Sequence, residues 1–466
     1  VTQSSSIDAN WVHAILERVQ VVGAAFPRTA ASLKVLVPRF HEVEDLSQRV
    51  WTDRWKTDIV IDGPVEDQLA VRSFLFYLRS AIGPNKGMAV SPFGLSSDTY
   101  SGHVFWDADI WVFPALAFIA PQEAAEIPRY RLAKMDQARS NYREWVAAKK
   151  PTAMGTMKTA SSSDGIMFPW ESSVTGSETM PGPSRYEHHI TGSVAFSVNQ
   201  AAALGLVPGA DARNLIREAA TFYKARSIEG PKGREIKGVV SPDETHVGDN
   251  DLYTNLLAEW LTNGGSWKSS GRTTYKLPQD SIGLLTYDDD ALRSYKQAAA
   301  VLSIYPLQFP PAEVQAQAMM NRFGSKVIKN GPAMSDSVHA IIWARAGATE
   351  QAYQAWRASW QPFTTGPLEL FSEKRSRHAG YFVTGAAGSL QSVLYGFLGI
   401  GLDSRNRSNN AWSTKLLGDH ILSATPHLPK EWKSVKLKNF TLLGRRLTLT
   451  ATQAPNGGTS QITQGE

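Results

Sequence analysis

The sequence contains no cysteine, which rules out disulfides, thiolate nucleophiles and Cys-ligated zinc or iron–sulfur centres together. It also lacks a long apolar run. The longest, Ile110 to Ala120, is broken by Pro114 and falls well short of the roughly 20 residues that cross a bilayer, so no membrane partner is expected. There is no dense block of Lys or Arg, and 48 basic against 43 acidic residues leave a formal charge of only +5. That balance gives no electrostatic footprint for nucleic acid. Neither a G-x-x-x-x-G-K-[ST] phosphate loop nor a G-x-S-x-G nucleophile elbow occurs. No charged-then-apolar leader opens the sequence at Val1, and the compartment stays open.

What is present suits a large globular enzyme. With 466 residues, 42% apolar and 20% charged, the chain can bury one large core or two to three ordinary ones. Its 14 tryptophans are the more telling count. Aromatic faces pack on the C–H faces of sugar rings, and sugar sites combine them with a few placed polar groups. The plainer use of most of these tryptophans is to fill a helical core.

Hydrophobic periodicity predicts helices over 66–80, 106–119, 122–148, 185–204, 211–226, 251–263, 289–303, 312–323, 335–347, 348–361 and 385–397. Gly, Pro, Ser and Asp clusters separate most of them. About eleven helices without a fixed repeat period fit paired helices closed into a toroid better than a solenoid. Residues 1–60 read as helices and a connecting arm, 61–411 as the main helical domain, and 412–466 as a short β region with a tail. Within the last, Val435, Leu437, Phe440, Leu442, Leu447 and Leu449 alternate around Gly444-Arg445-Arg446 as a β-hairpin would.

Polar clusters fall between the helices, where binding and catalytic groups are usually carried. They are Ser91–Tyr100 leading into Trp106-Asp107-Ala108-Asp109, then Phe168-Pro169-Trp170-Glu171 with Glu178, then Glu187-His188-His189. Ser241-Pro242-Asp243-Glu244, Lys296-Gln297 and Glu373 follow. Glu244 and Glu373 supply the two distant carboxyls that glycoside hydrolysis requires, one to protonate the leaving oxygen and one to activate water. Asp107, Asp109 and Asp243 have a second reading as helix N-caps, and Lys296-Gln297 as a solvated helix face. His103 reads as a hydrogen-bonded structural histidine. Adjacent His188 and His189 point apart on a helix, with no His-x3-His pair nearby, so no metal and no cofactor is expected.

Gly102-His-Val-Phe-Trp-Asp107, Phe-Pro-Trp-Glu171, Pro-Asp-Glu244, Tyr295-Lys-Gln297 and Gly385-Ala-Ala-Gly-Ser-Leu-Gln391, in this order and spacing, resemble glycoside hydrolase family 65. The similarity runs from about residue 50 to about 450, judged by motif order, and Ser91–Ser97 with Trp106–Asp109 leans to the hydrolase branch. The resemblance implies a mainly α chain built on an (α/α)6 barrel with a small C-terminal β region. It matches Glu244 to the general acid and Glu373 to the general base, with Glu369 as a rival for the second position. Trp106, Asp107, Trp170, Lys296 and Gln297 match positions holding the non-reducing glucose, and Glu171 and His189 match site-lining positions. The implied activity is inverting hydrolysis of a small α-glucoside of kojibiose, trehalose or glucosylgalactose type. The alternatives are a phosphorylase of the same family and a sugar-binding module without catalysis. A small saccharide is the expected partner, and oligomeric state is left open. Family members also carry a large N-terminal β-sandwich, for which this sequence has no room.

Overall fold

The computed structural model describes residues 2–10, 13–21, 40–83, 88–156, 164–180, 182–268, 273–375, 380–402, 422–453 and 461–465. It divides into two compact units, Val1–Asp58 and Ile59–Glu466. In the first unit, Thr2–Asn10 and His13–Val21 form an antiparallel hairpin, followed by the helix Phe40–Arg54. The hairpin replaces the helix expected there. Ser4-Ser5-Ser6 and the β-branched Val19 and Val21 are weak helix formers, whose side chains compete with helical hydrogen bonds or lose rotamer freedom in a helix. Trp11, part of the helical spacing, lies outside the described residues.

The second unit is the (α/α)6 barrel, and burial separates its inner from its outer helices. Ala108–Leu116, His189–Ala203, Leu252–Thr262, Ser335–Arg345 and Val383–Phe397 are buried on nearly every face. Their sequences explain it. His189–Ala203 carries no Asp, Glu, Lys or Arg, and is built mainly from Ile, Val, Phe, Ala, Gly and Ser, with Asn199 and Gln200 near its end. Such a helix is apolar all round and needs neighbours on all sides. Val65–Ala81, Met135–Ala147, Gly209–Arg226, Ala316–Phe323 and Thr349–Trp360 instead keep one polar face.

Gly385 and Gly388 let the helix from Val383 approach its neighbours closely. A Cβ at Gly388 would stand 2.6 Å from Ser337 Oγ and 3.0 Å from the Trp111 ring, and one at Gly385 would stand 2.5 Å from Phe371. Gln391 then closes a gap that Pro114 opens. Proline has no N–H for the carbonyl four residues earlier, and Gln391 Nε2 donates to Ile110 O at 2.8 Å and to Trp111 O at 2.6 Å. Tyr395 OH donates to Pro114 O at 2.7 Å. The two segments also both contain a π turn, Ala108–Val112 and Ser392–Phe397, a local widening often found beside functional sites.

The helix expected over 289–303 does not form; only Ala300–Ser303 makes a 3-10 turn. Asp290 accounts for this. Its carboxylate accepts from Leu292 N at 3.0 Å, Thr286 N at 3.3 Å and Tyr295 OH at 2.5 Å, a local side-chain alternative to helical bonding. The region expected as one helix over 122–148 is three, Pro121–Ala124, Glu126–Ala133 and Met135–Ala147.

At the C-terminus, Ser434–Leu442 and Arg445–Thr452 pair antiparallel, flanked by Asp58–Asp62 and Gln461–Gly465. The break in alternation between Leu437 and Phe440 is a register shift, with Asn439 at φ 49°, as a β-bulge requires. The boundary expected at residue 412 lies outside the described residues. Asp67, fully buried on helix Val65–Ala81, accepts from Trp432 Nε1 and Tyr353 OH at 2.8 Å each and from Arg357 Nη1 at 2.9 Å.

Candidate active site

Several loops converge on a cavity of about 330 Å3 lined by Tyr100, Phe105, Asp107, Trp170, Glu244, Lys296, Gln297 and Glu373, with Pro92, Met180, Ser184, Pro332, Met334 and Phe382. That volume is at the small end of the usual range for small-molecule sites, about 300–1,000 Å3.

Glu244 stands in the tight connection between Val239–Val240 and Val247–Gly248. Ser241 N donates to His246 O at 3.0 Å and Glu244 N to Ser241 O at 2.8 Å, which forces Glu244 to φ +64°. A non-glycine residue in that region is strained, so the loop must be held. Asp243, fully buried, accepts from the backbone N–H of Thr245 and of His246 at 3.2 Å each, and pairs with the His246 ring. Asp243 therefore shapes a turn and caps no helix.

Lys296 pairs with Glu244 through Nζ and Oε2. Gln297 Nε2 donates to Pro242 O at 2.5 Å and to Glu244 Oε1 at 3.3 Å. Both residues lie in the irregular segment that replaces the expected helix, so their reading as a solvated helix face falls away. Burial works against the Lys296 charge, but Glu244, Glu187 and Glu373 outweigh it and hold the ammonium above its ordinary range.

Glu373 follows the short strand Leu370–Phe371. Its backbone oxygen accepts from Ala333 N at 3.0 Å, and its Oε1 accepts from Tyr100 OH at 3.1 Å. Burial and then Glu373 raise the Tyr100 phenol well above its ordinary range, so it stays a donor. Glu369 sits at φ 49° in the turn before that strand and not on a helix, and is absent from the cavity lining.

Asp107 immediately precedes the π turn but caps nothing with its side chain. Thr384 Oγ1 donates to its Oδ2 at 2.7 Å. Burial pushes its carboxyl up to about 7, with Glu244 and Glu373 adding to the effect against the Thr384 bond. Asp109 faces away from this chemistry, in a buried pair with Arg131 (2.6 Å).

The Trp170 ring packs edge-on against Phe105, centroids 5.0 Å apart. Glu178 shapes its loop, accepting from Trp170 N at 2.7 Å, Met180 N at 3.0 Å and Glu171 N at 3.3 Å. Three of the residues expected at the site stand behind or beside the lining. Trp106 is buried against His189 (4.6 Å between centroids) and Trp111. His189 is fully buried, and burial lowers its pKa to about 3. Glu171 Oε1 bonds His103 Nδ1 at 2.8 Å.

Sequence reasoning passed over Tyr100 and Thr384. Tyr100 ends the polar Ser91–Tyr100 run and was within reach as a site group. Nothing local marks Thr384, whose partner is 277 residues away.

The buried carboxyls set a pH dependence. Asp107 and Asp251 rise from 3.8 to about 7, both chiefly by burial. A carboxyl with a raised folded-state pKa favours folding fully below 3.8, and that contribution is lost as pH climbs through about 7. Asp107→Asn is expected to raise the melting temperature at about pH 8 more than at about pH 5, measured by thermal denaturation across that window.

Residues 72–282 match the model described as the glycosyl hydrolase family 65 central catalytic domain. A kojibiose hydrolase of Flavobacterium johnsoniae is 29% identical over 428 residues, covering 86% of this chain and 58% of its own length. One from Mucilaginibacter mallensis is 30% identical over 416 residues, covering 84% and 56%. The chain thus spans just over half the length of these curated relatives. A solved structure described as a kojibiose phosphorylase from the human microbiome superposes with a TM-score of 0.68 at 16% identity, covering 92% of this chain and 70% of that one. That likeness supports the fold.

Proposed function

We propose that this chain, which belongs to glycoside hydrolase family 65, carries the catalytic centre of an inverting hydrolase acting on a small α-glucoside. The observation that carries this reading is the meeting of Glu244 and Glu373, from loops far apart in sequence, on one cavity of about 330 Å3. Glu244 protonates the glycosidic oxygen, and Glu373 takes a proton from the water that attacks the anomeric carbon from the opposite face. Lys296 and Gln297 orient the acid, and with Asp107 they hold glucose hydroxyls. Trp170 gives the sugar an apolar wall, and Trp106 and His189 brace the site from behind. Glu171, paired with His103, stands beside the lining. Tyr100 aims its hydroxyl at Glu373 and fixes the orientation of the base.

The names of the relatives support a substrate class: a non-reducing glucose linked α to a second sugar, of kojibiose, trehalose or glucosylgalactose type. A panel of α-linked disaccharides assayed for glucose release, with and without inorganic phosphate, tests the proposal. Phosphate-independent release of glucose in the β-anomeric form is expected. Strict phosphate dependence with glucose 1-phosphate as product would replace hydrolysis by phosphorolysis. Binding without turnover would make the chain a saccharide-binding module.

A further inference from the structure

Behind the wall formed by Trp170 lies a further carboxyl, Glu187, which the hydrolytic scheme does not use. Its side chain has no exposure, and its Oε2 lies 3.1 Å from Nε2 of the equally buried His189. Its carboxyl feels the indole N–H of Trp170, but Oε1 and Trp170 Nε1 fall short of close hydrogen-bond geometry, and His189 Nδ1 has no partner, all buried. Three polar atoms without full partners, on three residues packed behind one sugar wall, are costly to bury.

Glu187 is also tied electrically to the acid. The charged groups bearing on it are Glu244, Lys296 and Asp243, and His189 beside it is neutral. Burial, followed by Glu244, drives the Glu187 carboxyl well above the usual carboxylate range. A neutral Glu187 leaves Lys296 to pair with Glu244 alone and shares a hydrogen bond with His189 Nε2. An ionised Glu187 would instead draw on the same ammonium.

We infer that Glu187 is a positioning residue for the catalytic acid, acting on Trp170 and His189 by contact and on the Glu244–Lys296 pair through space. This rests on the proposed role of Glu244. A displaced wall and a divided Lys296 each misplace the acid, and misplacement of about 1 Å can cost on the order of 10²-fold in rate.

The test compares Glu187→Leu with Glu187→Gln, the second retaining shape and hydrogen bonding without a titrating proton. Glu187→Leu is expected to lose on the order of 10²-fold in kcat, with a smaller change in KM. Glu187→Gln is expected to recover at least about tenfold of that loss and to move the alkaline limb of the kcat profile to higher pH. Circular dichroism checks that each variant folds, and Glu187→Gln carries the test if Glu187→Leu does not. Wild-type kcat and pH profile in Glu187→Leu would overturn the inference. So would a Glu187→Gln profile unshifted from wild type. Glucose binding, followed by the tryptophan fluorescence change that Trp170→Phe removes, separates the positioning role from the hydrolytic activity. If the wild-type protein binds glucose but turns over no α-glucoside, hydrolysis fails. In that case a binding signal unaltered by either Glu187 variant overturns the positioning role as well.

Discussion

Glu244→Gln and Glu373→Gln are each expected to lower turnover of an α-linked disaccharide by at least about 10³-fold, while circular dichroism and melting temperature stay close to wild type. Gln preserves the size of both side chains and can still bond Lys296 or Tyr100, so the loss reports chemistry and not collapse. The two variants separate when the leaving group changes. Fluoride departs without protonation, so α-glucosyl fluoride should restore much of the rate to Glu244→Gln and little to Glu373→Gln. Combining the substitutions should cost much less than the product of the two losses, because groups that act as a unit are not additive. Equal rescue of both variants by the fluoride would contradict the assigned roles, and near-wild-type turnover by either would remove that residue from the mechanism.

The second large effect is on stability. Asp109 and Arg131 are fully buried and joined at 2.6 and 3.0 Å, with Arg131 Nη2 also donating to Phe105 O at 3.1 Å. Asp109→Ala strands a guanidinium in the core. Removing one partner of such a pair costs about 3–5 kcal/mol, and chemical denaturation should show a loss of that size. Arg131→Met, which removes charge from the other side, leaves an unpaired buried carboxylate and should be comparably damaging. The double variant Asp109→Leu/Arg131→Met should recover much of the loss, since an apolar pair of similar volume often serves as well. Because Arg131 also holds the Phe105 carbonyl, the single variants should shift Asp107 and reduce activity in the fraction that still folds. A loss under about 1 kcal/mol in Asp109→Ala would show that water reaches Arg131.

Helical character was legible wherever side chains keep a 3.6-residue rhythm or are apolar all round, as in His189–Ala203 and Leu252–Thr262. It was misread where a single side chain intervenes. Asp290 binds three neighbouring donors and unmakes the helix expected over 289–303, a choice that periodicity cannot register. The serine run near the N-terminus was misread for the related reason that a hairpin there needs a partner strand, and pairing is not a local property. The candidate site divides along the same line. Glu244, Glu373, Asp107, Trp170, Lys296 and Gln297 stand in short recognisable motifs, and the fold gathers them around one cavity. Trp106 and His189 share those motifs yet stand a layer behind, because sequence records which residues keep company and not which of them faces the void. Thr384 and Glu187 matter through contacts whose meaning appears only once distant segments are folded together.

The Asp67 cluster carries an implication for how far the barrel is self-sufficient. One of the three donors that satisfy this carboxylate is the indole of Trp432, at the entrance to the final hairpin. A chain ending before that tryptophan would leave a helix of the barrel holding a solvent-starved acid with fewer partners, in a place where proton uptake or water entry is the only remedy. The terminal sheet is thus less an appendage than the last stave of the barrel, and shortening the protein from that end would loosen the wall before it ever reached the catalytic loops.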